Sequence, residues 1–197
     1  MNNPIDEITN AILTRIKDAV KRKILGYALP LVAPYGGEID DDALRHVLKT
    51  RTPAVWVTFH GENDPGRIGG RRDNAAYFDV VICVRNVAGE KSSYRGSPTT
   101  VGANQIITDI KGLLSDQNLG LKIEPLEFQE TQPVYKGHNA GYYTTIYYMR
   151  FKTRYQQPTA QKPYEDLDEF LRLNSTWTVK KQTSQFNINV RSQNKND

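Results

Sequence analysis

A strict alternation of side chains between Ala75 and Arg85 limits the fold more than any other feature of the sequence. One set of alternate residues is apolar (Ala76, Phe78, Val80, Ile82 and Val84), and the other is mixed (Tyr77, Asp79, Val81, Cys83 and Arg85). Successive side chains of a β-strand point to opposite faces of the sheet, so the first set is predicted to face a core. A strand with one buried and one polar face is typical of an antiparallel sheet.

Three other segments are also predicted to be strands. Residues 54–59 are rich in β-formers and lie between Pro53 and Gly61. Tyr142–Thr153 alternates, with Tyr143, Tyr147, Met149 and Phe151 predicted to face the core. The segment 121–134 is weaker because it contains Pro125 and Pro133, and it is therefore predicted to lie at an edge or to be bulged.

Two amphipathic helices are predicted to cover this sheet. The first carries Ile5, Ile8, Ile12 and Ile16 at helical spacing, with Asn3 as its N-cap. The second is predicted to open at Ser97–Pro98 and to bury Ile106, Ile107, Ile110, Leu113 and Leu114. The predicted fold class is α+β: a largely antiparallel sheet covered on one face by two helices, with an extended C-terminal arm.

Two charged clusters in this region are interpreted as parts of helices. Lys17, Lys21, Arg22 and Lys23 crowd the end of the first helix, where positive charge is favoured, so a polyanion site is the weaker interpretation. Asp40, Asp41 and Asp42 precede a short helical pattern ending near Leu48 and are predicted to cap it. They lack the alternating ligand pattern of a calcium loop.

The composition changes after Tyr155, which gives three predicted regions. Residues 1–155 form the α+β domain, residues 156–163 form a polar linker, and residues 164–197 form a C-terminal arm. The arm begins with a short acidic helix over Tyr164–Leu173 and ends in a polar tail. A helix of this length is marginal by itself, so we expect the arm to dock on a surface.

Composition and charge bound the class of protein. The formal net charge is +4, without a concentrated basic patch of the kind that nucleic-acid binding would indicate. The single cysteine fits a reducing compartment such as a bacterial cytoplasm. We expect no membrane span and no secretory signal, because the N-terminus lacks both a basic start and an apolar run.

No pattern in the sequence predicts catalysis, a metal or a cofactor. His46, His60 and His138 are scattered, and Cys83 has the setting of a small buried hydrophobe. The glycine-rich segment 66–72 lacks the Gly-Lys-Ser/Thr of a phosphate loop and is predicted to be a hairpin tip. Eleven tyrosines are explained first by a half-buried sheet, second by a subunit interface and third by base stacking.

The order of these elements resembles the tail terminator family of Mu-like contractile-tailed phages. The matching features are the opening helix Ile5–Lys23, the Tyr35–Leu48 segment followed by Pro53–Val57, the Tyr77–Asn86 strand, the Arg95–Gly96 loop into the second helix, the closing Tyr147–Tyr155 strand and the acidic Asp166–Leu173 piece ending at Trp177. The resemblance implies a structural virion protein without catalytic residues or cofactors.

The resemblance also implies partners and a location. The expected assembly is a ring, a hexamer, that seats on the last tail-tube ring, stops growth of tube and sheath, and joins the tail to neck or connector proteins. DNA passes through the lumen without specific binding, and the virion is assembled in the host bacterial cytoplasm.

Ten residues are the candidate interface residues. We hypothesise that the 61–72 tip and the 90–95 loop contact adjoining rings, while the 164–179 arm reaches a neighbouring subunit. The candidates within these segments are Arg67, Arg71, Arg72, Lys91, Tyr94, Arg95, Leu167, Phe170, Leu171 and Trp177.

Two alternatives stay open from the sequence. The nearer one is another neck or tail-completion protein. The more distant one is a nucleic-acid-binding phage accessory protein, which would lose duplex binding steeply with salt.

Overall fold

The computed structural model describes residues 3–36, 51–64, 67–68, 71–97, 100–139, 141–156, 174–179 and 182–187, of which 67–68, 71–72, 139, 174–179 and 182–187 are described by backbone alone. The chain divides into two compact units, residues 1–157 and 158–197.

The first unit contains three described helices and six described strands. The helices are α1 (Pro4–Lys21), α2 (Glu90–Arg95) and α3 (Ala103–Leu114). The strands are β1 (Leu31–Pro34), β2 (Ala54–Asn63), β3 (Arg67–Ile68), β4 (Arg71–Asn86), β5 (Glu127–Asn139) and β6 (Tyr142–Gln156). Within the described residues, no helix has the length and apolarity that crossing a bilayer requires.

One mixed sheet organises this unit. Its order is β1-β2-β4-β6-β5, and β3 pairs with the start of β4. The pairing of β1 with β2 is parallel and the others are antiparallel, which confirms the predicted α+β class. The sequence pattern does not predict β1, because its four residues are too few to show a period of two.

The main core lies between the sheet and the helices α1 and α3. It buries Ile8, Ile12 and Ile16 of the predicted stripe of α1, with Ile5 partly buried against it. It also buries all five predicted inward residues of β4, together with Met149 and Phe151 of β6. The predicted cap is also present, since the Asn3 side chain accepts a hydrogen bond from the Ile5 backbone N–H at 3.0 Å.

The opposite face of the sheet, called the second face below, is less polar than its alternation suggested. A second cluster is buried there, made of Ala54, Trp56, Val81, Cys83 and Ile146. These residues come from three adjacent strands whose register places them side by side. A pattern read along one strand cannot show such a cluster, because each strand contributes only one or two of its members.

The second long helix begins later than predicted. Ser97 pairs with Thr100 in a turn, and α3 starts at Ala103 with Gly102 as its N-cap. The preceding segment 90–95 was predicted to be a loop but forms the short helix α2. A β-carbon at Gly102 would lie 2.6 Å from the carbonyl oxygen of Tyr94 and closer still to the backbone of Gly96. Glycine is therefore required where the turn packs against the end of α2.

Strand β5 lies at the sheet edge, as its prolines predicted, although it spans 127–139 rather than 121–134. Its register with β6 shifts between Phe128 and Glu130 and again between Pro133 and Tyr135. The predicted hairpin tip is also confirmed, since Arg67 pairs with Arg72 and Ile68 with Arg71.

In the second unit, β7 (Asn174–Val179) and β8 (Gln182–Asn187) form an antiparallel ladder. The sequence pattern does not predict this pairing. The predicted helices over Asp40–Leu48 and Tyr164–Leu173 and most of the predicted linker lie outside the described residues.

Two glycine substitutions test the position at which α3 begins. Gly102→Ala should lower the free energy of unfolding by about 1–3 kcal/mol, because its methyl group would overlap the backbone of α2. Gly112→Ala is the matched control: its β-carbon meets nothing within 4 Å inside the helix, so we expect a gain of up to about 1 kcal/mol. Urea denaturation measures both, and equal effects of the two substitutions would contradict the assigned helix start.

Candidate assembly surfaces

The predicted interface residues fall at opposite ends of the long strand β4. Arg67, Arg71 and Arg72 lie at the hairpin tip where β4 begins, whereas α2 with Lys91, Tyr94 and Arg95 follows its end at Asn86. A strand rises ~3.3 Å per residue, so these ends are about 50 Å apart. The candidates therefore form two separate surfaces rather than one site.

Buried hydrogen bonds fix α2 on the sheet. Ser93 and Thr145 of β6 are both fully buried, and their hydroxyl oxygens share a hydrogen bond of 2.6 Å. The Asn86 side chain donates to the Thr100 hydroxyl at 3.0 Å and accepts from the Ala88 backbone N–H at 2.7 Å. These contacts place the exposed side of α2 in a defined position at the end of the sheet.

The structure adds Lys136 of β5 to the predicted residues of α2. Its ammonium nitrogen lies 5.9 Å from the ring centre of Tyr94 and 5.4 Å from that of Tyr147. A hydrogen bond with Tyr147 raises the pKa of Lys136, and the carboxylate of Glu90 acts in the same direction. Sequence patterns do not point to Lys136, because only the sheet register brings residue 136 next to Tyr94 of α2.

Three exposed apolar side chains lie in β5 and just past the end of β4. Val87 is 68% exposed, and Val134 and Tyr135 are 54% and 43% exposed. The Tyr135 ring lies over Gly137, where a β-carbon would overlap the ring. We define the α2-end surface as Lys91, Tyr94, Arg95 and Lys136. Tyr135 lies on the other side of the sheet, because its register partner is Ile146 of the second face whereas that of Lys136 is Thr145. Exposed apolar and aromatic residues mixed with arginine are typical of protein interfaces.

The other tyrosines near this end support the predicted half-buried sheet. Tyr142, Tyr143, Tyr147 and Tyr148 are all partly buried. The Arg85 guanidinium lies 4.3 Å from the ring centre of Tyr142, and the His138 and Tyr143 rings are 4.6 Å apart. Their faces are thus engaged by side chains of the same chain, which leaves less ring surface for base stacking.

A charged network crosses the second face of the sheet. Arg150 donates two hydrogen bonds to Asp79, from Nε at 2.8 Å and from Nη2 at 3.0 Å, and its Nη1 lies 3.4 Å from Glu130. His60 Nδ1 lies 3.1 Å from Asp79, and the Tyr148 hydroxyl donates to Glu130 at 2.9 Å. The two-pronged bond to Asp79 raises the pKa of Arg150.

The charged groups of this network are paired with one another. Hydrogen bonds from Gln132 and then from Tyr148 lower the pKa of Glu130, so its carboxylate is held in the charged form. Asp79 and Arg150 sit directly opposite each other in the β4–β6 register. The network therefore links four strands by paired charges. Only a known strand register could have predicted it, because its members are spread over residues 60–150.

The described residues offer no clear chemical centre. Among them, no group of three or more His, Cys, Asp or Glu side chains is placed to hold a metal ion. Cys83 is fully buried, as predicted, and burial raises the pKa of its thiol to about 12. The thiol is therefore neutral near pH 7 and shielded from substrates.

The remaining candidates lie in the C-terminal arm. Leu167, Phe170 and Leu171 lie outside the described residues. Trp177 is in β7, at the register position opposite Ser184 of β8.

The first unit is an α+β domain with candidate assembly residues at the two ends of β4. Residues 4–156 match the family described as Bacteriophage Mu, Gp37. The chain belongs to this family and is a Mu-like phage protein, which confirms the resemblance to proteins of Mu-like phages. The match stops at residue 156 and so does not include the acidic segment of the arm. No curated protein matches the chain significantly.

Removal of Arg150 tests the network on the second face. Arg150→Met leaves the largely buried carboxylate of Asp79 without its two-pronged donor, so the free energy of unfolding should fall by about 1–3 kcal/mol. Lys152→Met, two residues along the same face, is the matched control and should change it by less than about 0.5 kcal/mol. Equal losses in urea denaturation would show that the network adds no stability of its own.

Proposed function

We propose that the protein is a structural virion protein, the tail terminator of a Mu-like contractile phage. In this proposal its copies form a hexameric ring that caps the tail tube and sheath and joins them to neck proteins. Membership of the phage Mu family supports the phage context. The ring and its position in the tail are what the resemblance to the tail-terminator family implies.

The observation that carries the proposal is the separation of two candidate surfaces by the length of β4. A terminator has to contact the tube on one side and the neck on the other, and a rigid sheet about 50 Å long can present one surface to each. Strand β4 is well suited to this task, because it is paired with β2 and β6 along most of its length.

Head-to-tail contacts between identical chains close into a ring when the rotation from one copy to the next permits it. The first unit offers different sheet edges for such contacts, with β1 at one side and β5 at the other. We assign the hairpin tip and the α2-end surface to the contacts with adjoining rings, and the C-terminal arm to a neighbouring subunit.

Deleting the gene from the phage tests the proposal. Without a terminator, tail tubes should grow to uncontrolled lengths in negatively stained lysates, and a plasmid copy of the wild-type gene should restore a uniform length. Light scattering on the purified chain should give a mass of six times 22.4 kDa.

Other results would point to the alternatives. Tails of normal length that lack heads would identify a different neck protein. A monomeric chain that binds duplex DNA with a steep dependence on salt would identify a nucleic-acid-binding accessory protein.

A further inference from the structure

The excess positive charge of the chain is concentrated at the end of α1. Residues 15–23 hold five basic residues and one acidic residue, a net charge of +4 that equals the formal net charge of the whole chain. All six side chains are exposed. Arg15 is engaged within the domain, since it donates to the carbonyl oxygen of Leu113 and to Gln117, both at 3.3 Å. Among the described residues no carboxylate pairs with the other four, called the α1-end cations below: Lys17, Lys21, Arg22 and Lys23.

The helix dipole, which the sequence favours as the reason for these charges, explains them only in part. A Schellman motif closes α1, in which the Lys23 N–H bonds to the carbonyl oxygen of Val20 at 3.0 Å. The Ile24 N–H bonds to that of Ala19, also at 3.0 Å. Carbonyl groups at the negative end of the dipole therefore already have backbone partners. Lys17 also precedes the last turn of α1, and the effect of the dipole falls off beyond that turn.

Lys23 has a backbone conformation that disfavours any side chain. Its φ is 56°, in the left-handed region, at the position of the Schellman motif that glycine usually occupies. A β-carbon is disfavoured there because it approaches the following carbonyl oxygen. The chain thus places an exposed lysine where glycine would make the end of the helix more stable. Such an outlier indicates that the side chain itself has a use.

A phosphodiester backbone suits the α1-end cations better than a protein or a membrane does. Among the described residues, Ile24 is the one large exposed apolar side chain next to them, at 63%, whereas the centre of a protein interface is largely apolar. A helix that lies on a membrane presents a broad apolar face, but the apolar face of α1 is buried through Ile8, Ile12 and Ile16. Contacts with nucleic-acid phosphates need cations alone.

We propose that the α1-end cations bind the phosphate backbone of duplex DNA, independently of its base sequence. Each cation displaces counterions from the DNA, so the affinity falls with rising salt concentration. This inference deepens the proposed function and rests on it in one respect, since the DNA concerned is the DNA that the ring encloses. The end of α1 is then the part of each subunit that faces the lumen.

Fluorescence anisotropy with a short labelled duplex tests this site on the full-length chain. Four phosphate contacts predict that the affinity falls by about 150-fold between 50 mM and 200 mM salt. Two duplexes of unrelated sequence should bind equally well, because phosphate contacts carry no information about the bases.

Lys23→Gly separates the charge from the stability of the fold. Glycine suits the left-handed backbone, so the free energy of unfolding in urea should rise. With one contact fewer, the fall in affinity over the same salt range should shrink to about 40-fold. Adding Lys17→Gln and Lys21→Gln should shrink it to less than about 5-fold. Lys122→Gln is the matched control: it removes one charge near Glu7, at the start of α1, and should leave the salt dependence unchanged.

Three results would overturn the inference. They are an absence of DNA binding by the wild type, a Lys23→Gly variant with the salt dependence of the wild type, and tighter binding to phosphatidylserine vesicles that Ile24→Asn abolishes. The last result would assign the cations to a lipid surface. Light scattering on the same samples separates these failures from that of the proposed function. A ring that binds no DNA sinks only the site, whereas a monomer that binds DNA through these cations sinks only the ring.

Discussion

The structure depends on the double pairing of β4. This strand of 16 residues is bonded to β2 on one side and to β6 on the other, and its alternate residues enter two different clusters. Phe78, Val80 and Ile82 anchor the core beneath α1 and α3, while Val81 and Cys83 anchor the smaller cluster on the second face. Because both faces and both edges of β4 are engaged, its position determines where the hairpin tip and α2 can lie.

Local sequence was sufficient to predict the elements with a long periodic pattern. The isoleucine stripe and Asn3 cap of α1, the core face of β4 and the edge position of β5 all follow from short-range physics, namely helical spacing, capping and the missing N–H of proline. The start of α3 was misplaced because Ser97–Pro98 is an equally good helix opening locally. What excludes it is the close approach of Gly102 to the end of α2, which is a tertiary contact.

The α2-end surface could be predicted only in part, again because a tertiary contact completes it. Lys91, Tyr94 and Arg95 stand together in the sequence, but Lys136 joins them through the β5–β6 register. The network of Asp79, Arg150, His60 and Glu130 gives no sequence signal at all, since its members come from four strands. Pairing between distant strands is thus the information that sequence patterns lack, because it brings Lys136 to α2 and joins the charged network on the second face.

The irregular outer strand of the sheet has a consequence for assembly. Two register shifts and Pro133 interrupt β5, and an interrupted edge is a poor template for another strand. Copies of this chain should therefore not stack into an endless ribbon through their backbones. Contacts at this edge then have to come from side chains, whose geometry can limit the number of subunits. The proposed terminator of a growing polymer would then carry, in its edge strand β5, a feature that hinders its own copies from polymerising.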